Sequence, residues 1–185
     1  MNFSALHQQV KQQTDASLLT LIDELPDYAP RLKDAMRHAL LAGGKRMRPL
    51  LVQVVCNTLD VPKKDQMAIS MAIECAHAYS LVHDDLPAMD DDDLRRGMPT
   101  CHIAFDEATA ILAGDALQAL AFTVLADAPL STYAETKRSQ LLSVLAKSAG
   151  YIGMCGGQAI DLASTGKTIS LEELKQLHRL KTGAL

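Results

Sequence analysis

An all-α fold is what this sequence predicts, and three observations predict it. Apolar residues recur at spacings of three and four along most of the chain, as in helices with one buried face. The composition is rich in alanine and leucine, only 4% aromatic and without tryptophan, which suits helix-on-helix packing better than a sheet. No stretch alternates apolar and polar residues as a half-buried strand would. With 185 residues, 48% of them hydrophobic, the chain can build the core of one domain but not comfortably of two. One domain over residues 1–185 is therefore expected.

The elements follow in order. Residues 2–24 carry Phe3, Leu6, Val10, Leu18, Leu21 and Ile22 at helical spacing, and Pro26 and Pro30 punctuate the exit. A second helix is predicted from Arg31 to Leu41 with Leu32, Ala35, Met36 and Ala39 inward, stopped by Gly43-Gly44. Pro49 suits the first turn of a third helix, Leu50 to Leu59. After Asp60-Val61-Pro62 a long helix runs from about Lys64 to Asp85. The segment from Ile111 to Ala126 is apolar almost all round, so it should be buried on more than one side or lie in a subunit interface. Thr132 to Glu135 and Ser170 to Glu173 each have capping-box spacing and should open further helices, the second carrying His178, Lys181 and Thr182. Between them Gly150, Gly153, Gly156 and Gly157 leave room for close approach of a helix or a ligand.

Composition also excludes. A net charge of -4 and the absence of a basic stripe argue against nucleic acid as a partner. Cys56, Cys75, Cys101 and Cys155 form no CxxC pair, which leaves zinc and thioredoxin chemistry unsupported and points to free thiols in a reducing cytoplasm. The N-terminus lacks a basic region followed by an apolar run, so no signal peptide is expected. No apolar stretch is read as approaching the roughly 20 residues that span a bilayer, so no membrane partner is expected.

The chemistry concentrates between His77 and Arg96. Six of the ten residues from Asp84 to Asp93 are aspartates, and Arg95-Arg96 follow at once. Two carboxylates about 6 Å apart repel by roughly 3 kcal/mol at an effective dielectric of 20. A folded chain keeps such a cluster where water, cations or arginines neutralise it. Magnesium characteristically takes one or two carboxylates together with substrate phosphates. His77, Leu81 and Asp84 share a helix face, with the imidazole about two turns below the first carboxylate. Pro87 clashes with the carbonyl of His83, so the helix should loosen around Leu86 to Met89 and let Asp84 and Asp90 address one volume. Upstream, the Gly43-Gly-Lys-Arg-Met-Arg-Pro49 turn offers amides near a helix start and three cations, which suits a diphosphate. A basic turn, an aspartate-rich helix end and a paired arginine together imply two anionic ligands, one held through metal and one by cations directly.

These residues carry a resemblance. GGKRMRP, ECAHAYSLVHDDLPAMDDDDLRRGMPTCH, ILAGDALQALAF, MCGGQAIDL and HRLKTGAL resemble the bacterial farnesyl diphosphate synthases of the polyprenyl synthase family over essentially the whole chain. The resemblance implies an all-α isoprenoid synthase-type bundle, a homodimer, and magnesium-dependent condensation of isopentenyl diphosphate with dimethylallyl and then geranyl diphosphate. It assigns Lys45, Arg48, His77 and Arg96 to isopentenyl diphosphate. It gives Asp84 and Asp90 to magnesium on the allylic diphosphate, with Asp85 a lesser candidate, and adds Arg95, Lys181 and Thr182 as contacts of that diphosphate. Gln158 and Asp161 match the family without an assigned role, and His83 and His178 read as structural. A bulky residue at Tyr79 is associated with a fifteen-carbon product. Helix phase puts Tyr79 about 140° from Asp84 and Ser80 only about 40° away, so Ser80 faces the same side more directly. The family carries a second aspartate-rich motif on a later helix, and this chain stops at Leu185 before it. The chain is therefore expected to be the N-terminal portion, and a polypeptide ending there is expected to be inactive.

Three rival readings remain. A non-catalytic subunit of a prenyl synthase would explain the missing second motif but not the intact first one. A longer-chain synthase, such as one making geranylgeranyl diphosphate, differs only in pocket depth. His83-Asp84 also supplies the dipeptide of HD-type metal phosphohydrolases, which would require a further histidine and aspartate as ligands.

Overall fold

The computed structural model describes residues 2–185. Helices dominate, and contacts group the chain into two compact units that divide between Glu135 and Thr136.

The first unit opens with α1 (Phe3–Asp23), capped by Asn2, whose Oδ1 accepts the Ala5 N–H at 2.8 Å. Val10, Thr14, Leu18 and Ile22, four residues apart, form its buried stripe. Phe3 is in phase with them yet 65% exposed, beside the His7 ring at 6.1 Å. Helical phase selects a face; it does not guarantee that another element lies opposite. In α2 (Pro30–Leu41) the proline sits at the first position, where its missing N–H is not needed, and Ala35, Met36 and Leu40 are buried.

Gly43, at φ +80°, turns the chain out of α2. Helix α3 (Met47–Thr58) begins three residues before the expected Leu50. Pro49 is accommodated because the first turn has no intrahelical use for its N–H. Helix α4 (Lys63–Asp84) is the central strut, burying Ala68, Ala72, Cys75, Ala76, Tyr79 and Val82.

Beyond α4 lies one feature the sequence did not suggest, a two-residue antiparallel ribbon of β1 (Leu94–Arg95) and β2 (Met98–Pro99). It is too short to show alternation. Its turn, Arg96-Gly97, has φ values of +56° and +80°, the primed geometry that matches the twist of paired strands. A single turn, α5 (Cys101–Ala104), leads into α6 (Glu107–Asp127), capped by Asp106, whose Oδ1 accepts the Thr109 N–H at 2.7 Å.

Helix α6 corrects two expectations. Its Ala110, Ala113, Gly114, Leu117, Ala121 and Val124 face is buried, and it packs on α4 and α2, while Ile111 and Leu112 are 45% and 55% exposed. Within this single chain one side, not several, is covered, so α6 is not a central helix here, and the subunit-interface alternative concerns its other side. With 21 residues it is also long and apolar enough to cross a membrane by length and composition alone, contrary to the reading that no stretch approaches that length. Asp115 and Gln118 interrupt the run in sequence, but hydropathy averaged along the helix absorbs them. Small residues at the α4–α6 contact let the two backbones approach closely.

The turn α7 (Thr132–Glu135) ends this unit. Its cap is Ser131 rather than Thr132: the Ser131 Oγ accepts the Ala134 N–H at 3.2 Å, and buried Asp65 accepts from the Ser131 N–H at 2.7 Å.

The second unit contains α8 (Arg138–Ala149), α9 (Met154–Ser164) and α10 (Leu171–His178), followed by a π-helical turn, Arg179–Gly183. The Ser170–Glu173 capping box forms as predicted. Lys181 and Thr182 fall in the π-helical turn rather than in α10 itself. At Gly157 a side chain would collide with the Lys181 backbone, so this glycine is what lets the turn lie against α9.

Candidate functional site

A cavity of about 490 Å³ in the first unit is lined by Gly43, Gly44, Lys45, Arg46, Met47, Arg48, Glu74, His77 and Arg96. The turn after α2 contributes Lys45 and Arg46, the first turn of α3 contributes Arg48, α4 contributes Glu74 and His77, and the ribbon turn contributes Arg96. All four residues linked to one anion by sequence, Lys45, Arg48, His77 and Arg96, thus share one cavity. Arg96 is drawn in by donating from Nη1 to the Gly43 carbonyl. A Cβ on Gly44 would lie 3.0 Å from the Arg96 Nη1 and 3.1 Å from the Arg46 Nη1. Glycine here admits two guanidinium groups side by side.

The electrostatics favour an anion. Burial pushes the His77 imidazole down to about 3, and the charges of Arg48, Arg96, Arg46 and Arg95 push the same way. Its Nδ1 is buried and has no hydrogen-bond partner. Arg48 is lowered by burial, and Arg96 by burial and then by Arg46. Burial is the first cause in each case, and at His77 and Arg96 neighbouring arginines add to it. A ligand with several anionic oxygens offsets the arginines' share, through the charge-assisted bonds that arginine forks make to phosphate.

The second cluster lies at the C-terminal end of α4. The helix ends at Asp84 rather than loosening further on, and Pro87 falls in the turn that reverses the chain. The Asp90 N–H then donates to the Asp84 carbonyl at 2.8 Å, and the Asp92 N–H to the Asp85 carbonyl at 3.2 Å. The turn thereby joins the backbones of Asp84 and Asp90 across the intervening Pro87. Asp84 is half-buried and Asp90 exposed.

Asp85, 3% exposed, is held by Arg95, whose Nε lies 2.7 and 2.9 Å from the two carboxylate oxygens and whose Nη2 also donates to Oδ1. That bond raises the Arg95 pKa further. Asp85 and Arg95 neutralise each other. Among the described residues no three or more His, Cys, Asp or Glu side chains gather as a metal cage. Two carboxylates fit a magnesium ion whose remaining ligands are waters and phosphate oxygens. Asp115 Oδ1 lies 3.8 Å from His83 Nε2, but among the described residues no group of three or more such side chains forms that could hold a metal, as an HD-type hydrolase would require.

Tyr79 is buried, its ring 6.0 Å from His83 in an edge-on contact, and the Ser80 Oγ donates to the His77 carbonyl at 2.9 Å. The His83 Nε2 hydrogen-bonds the Ile111 carbonyl at 3.1 Å, its ring occupying the space that Gly114 leaves. His83 is therefore a structural link between α4 and α6. In the second unit the Lys181 Nζ is 2.6 Å from the Asp161 Oδ2, and both line a cavity of about 370 Å³ with His178 and Thr182. Gln158 is buried with neither amide atom hydrogen-bonded.

Sequence reasoning missed the separate character of Arg46. It stood as one of three cations in the basic turn, but it is buried, with Asp15 and Glu74 at 2.6 and 2.7 Å. Nothing in the sequence links it to carboxylates so far along the chain.

The polyprenyl synthetase family model matches residues 29–185. The chain belongs to the polyprenyl synthetase family. It is 48% identical to the farnesyl diphosphate synthase of Escherichia coli over 192 aligned residues, covering 100% of this chain and 62% of that protein. The corresponding Haemophilus influenzae synthase is 51% identical, again with 100% and 62% covered. A crystal structure of a geranyltransferase from Legionella pneumophila superposes with a TM-score of 0.93 at 43% identity, covering 98% of this chain and 64% of that one. An FPP/GFPP synthase from Zymomonas mobilis gives 0.91 at 47% identity, covering 98% and 66%. This polyprenyl synthetase chain thus spans a little over 60% of the length of these curated relatives, as its N-terminal portion, and its architecture is that of isoprenoid synthases.

Proposed function

We propose that this chain supplies the isopentenyl diphosphate pocket and the first metal-binding carboxylates of a magnesium-dependent prenyltransferase that extends dimethylallyl and geranyl diphosphate to farnesyl diphosphate. The observation that carries the reading is the convergence of Lys45, Arg48, His77 and Arg96 on one cavity close in sequence to the Asp84–Asp90 turn. The cations hold a diphosphate that does not ionise, so they contribute binding more than transition-state stabilisation. Asp84 and Asp90 would hold magnesium, which when bound supplies charge neutralisation to the leaving diphosphate. By the family resemblance Arg95, fixed by Asp85, is a donor to the allylic diphosphate; Lys181 and Thr182 carry the same assignment and line a cavity of their own unit. As the allylic C–O bond ionises, the alkene of isopentenyl diphosphate attacks the cation and a proton is lost; no side-chain nucleophile is required. The protein works as a cytoplasmic homodimer, and Tyr79, flanked by Ser80, limits the prenyl chain to fifteen carbons.

A second product length is favoured by one finding: the Zymomonas mobilis neighbour, 47% identical, is an FPP/GFPP synthase. Binding tests the pocket directly. Isopentenyl diphosphate should bind in calorimetry without added metal, and Arg48→Ala should weaken it at least tenfold, about 1.4 kcal/mol. Metal-dependent binding that ignores Arg48→Ala would overturn the assignment.

A further inference from the structure

Of the cations around the basic cavity, Arg46 is the one with a protein acceptor on each of its three guanidinium nitrogens. Its Nε donates to the Asp15 Oδ1 at 2.6 Å, its Nη1 to the Glu74 Oε2 at 2.7 Å, and its Nη2 to the Leu40 carbonyl at 2.5 Å. Its side chain is 3% exposed. Three of its five N–H groups are thus committed within the protein, although it lines the cavity. Its backbone is in the left-handed region, φ +48° and ψ +41°, at the N-terminal boundary of α3. A non-glycine residue persists there when its surroundings fix it. Those surroundings are α1 through Asp15, the end of α2 through Leu40, and α4 through Glu74.

Glu74 is otherwise hard to explain, since a carboxylate on the wall of an anion pocket opposes the ligand. Its partner resolves the difficulty: Glu74, 4% exposed, is tied to Arg46 and thereby neutralised. Burial alone would lower the Arg46 pKa; Glu74 and Asp15 raise it above its ordinary value instead.

We propose that Arg46 is a positioning residue: its three-way fork onto Asp15, Glu74 and the Leu40 carbonyl holds the turn between α2 and α3 in its left-handed bend, so that Lys45 on one side and Arg48 on the other present their charges to a diphosphate. The fork acts through its neighbours and does not touch the ligand. This rests on reading the cavity as a diphosphate site, and the experiment separates the two ideas.

The test is calorimetry of inorganic diphosphate binding to the 185-residue chain without divalent metal, alongside thermal melts. Arg46→Met together with Glu74→Gln removes one positive and one negative charge, so the net charge of the cavity wall is unchanged. A loss of affinity then reports geometry rather than charge. The expected result is a dissociation constant raised about tenfold or more, since misplacement of about 1 Å suffices for such losses. Arg46→Lys keeps the charge but cannot reach three acceptors, and is expected to weaken binding about three- to tenfold. It carries the test if the double variant does not fold. Unchanged affinity in whichever variant folds, even with a lowered melting temperature, makes Arg46 a purely structural group and overturns the proposal. Lys45→Ala serves as the control: if diphosphate does not bind the parent, or binds parent and Lys45→Ala alike, the cavity reading fails, and the inference with it.

Discussion

His77 shows how a single side chain takes its properties from its neighbours. Burial and four arginines press its pKa to about 3, below the ordinary value near 6.5. The unfolded chain takes up a proton as the pH falls through about 6.5, whereas the native imidazole resists until about 3. Across that window the unfolded state binds more protons, so His77 destabilises the fold progressively as pH falls. Replacing it by asparagine removes this linkage. The melting temperature of His77→Asn relative to the parent should therefore rise between pH 7.5 and 4.5; a constant difference would mean that the imidazole is not held neutral. The aspartates give a different prediction. Asp90 is exposed and Asp84 half-buried at a helix end. Asp84→Asn or Asp90→Asn should change the melting temperature by no more than about 3 °C, as surface substitutions do. Each should lower magnesium-dependent turnover of the full-length protein at least about a hundredfold, measured as label from isopentenyl diphosphate entering product. Equal turnover at saturating magnesium would remove the carboxylate from the metal site.

Helices α4 and α6 depend on what the sequence marks only as an isolated histidine and an isolated glycine. His83 fills the notch at Gly114 and hydrogen-bonds the Ile111 carbonyl. A methyl group at position 114 would occupy the imidazole's place, and overpacking of this kind costs about 1–3 kcal/mol. Gly114→Ala should accordingly lower the melting temperature by several degrees. Combining it with His83→Ala should recover part of that loss, because the clash disappears with the ring. Additive losses in the double variant would show that the two positions do not share this space. Within each helix the sequence was a good guide: Val10, Leu18 and Ile22 of α1 and the capping box of α10 lay where spacing placed them, and α2 began one residue before the expected Arg31. It was a poor guide at α7, where the Ser131 cap depends on Asp65, 66 residues earlier. Capping-box spacing is common, and only the tertiary partner decides which residue caps.

Under the proposed function, product length would be set by depth rather than by charge. Tyr79 lies about 7.5 Å below Asp84 along the helix axis and is 4% exposed. If its ring forms the floor of the prenyl pocket, Tyr79→Ala in a protein of full family length should shift the product from fifteen toward twenty carbons. Chromatography after dephosphorylation reads the outcome, and an unchanged fifteen-carbon product would make Tyr79 an ordinary core residue held against His83. The second unit brings Lys181 to Asp161 and leaves the buried Gln158 amide unpaired; neither arrangement could be deduced from spacing.

The sequence by itself determined the helical class, most helix boundaries to within a few residues, and the membership of the cationic and acidic clusters. The class, the boundaries and the acidic cluster follow from local rules: periodicity, caps, proline sterics and the rarity of dense like charge without a counterion; the grouping of Lys45, Arg48, His77 and Arg96 is what the family resemblance implied. Tertiary structure decided the rest. It separated Arg46, enclosed by Asp15 and Glu74, from Lys45 and Arg48, which line the same cavity without that fork. It paired Asp85 with Arg95 while Asp84 and Asp90 were joined through the backbone. It covered α6 on one face only, and it folded Arg96 into a ribbon turn that no alternation announced. Identical residue types a few positions apart acquire different roles because burial and partner geometry, set by elements distant in the chain, determine which charges are neutralised internally and which remain for a ligand.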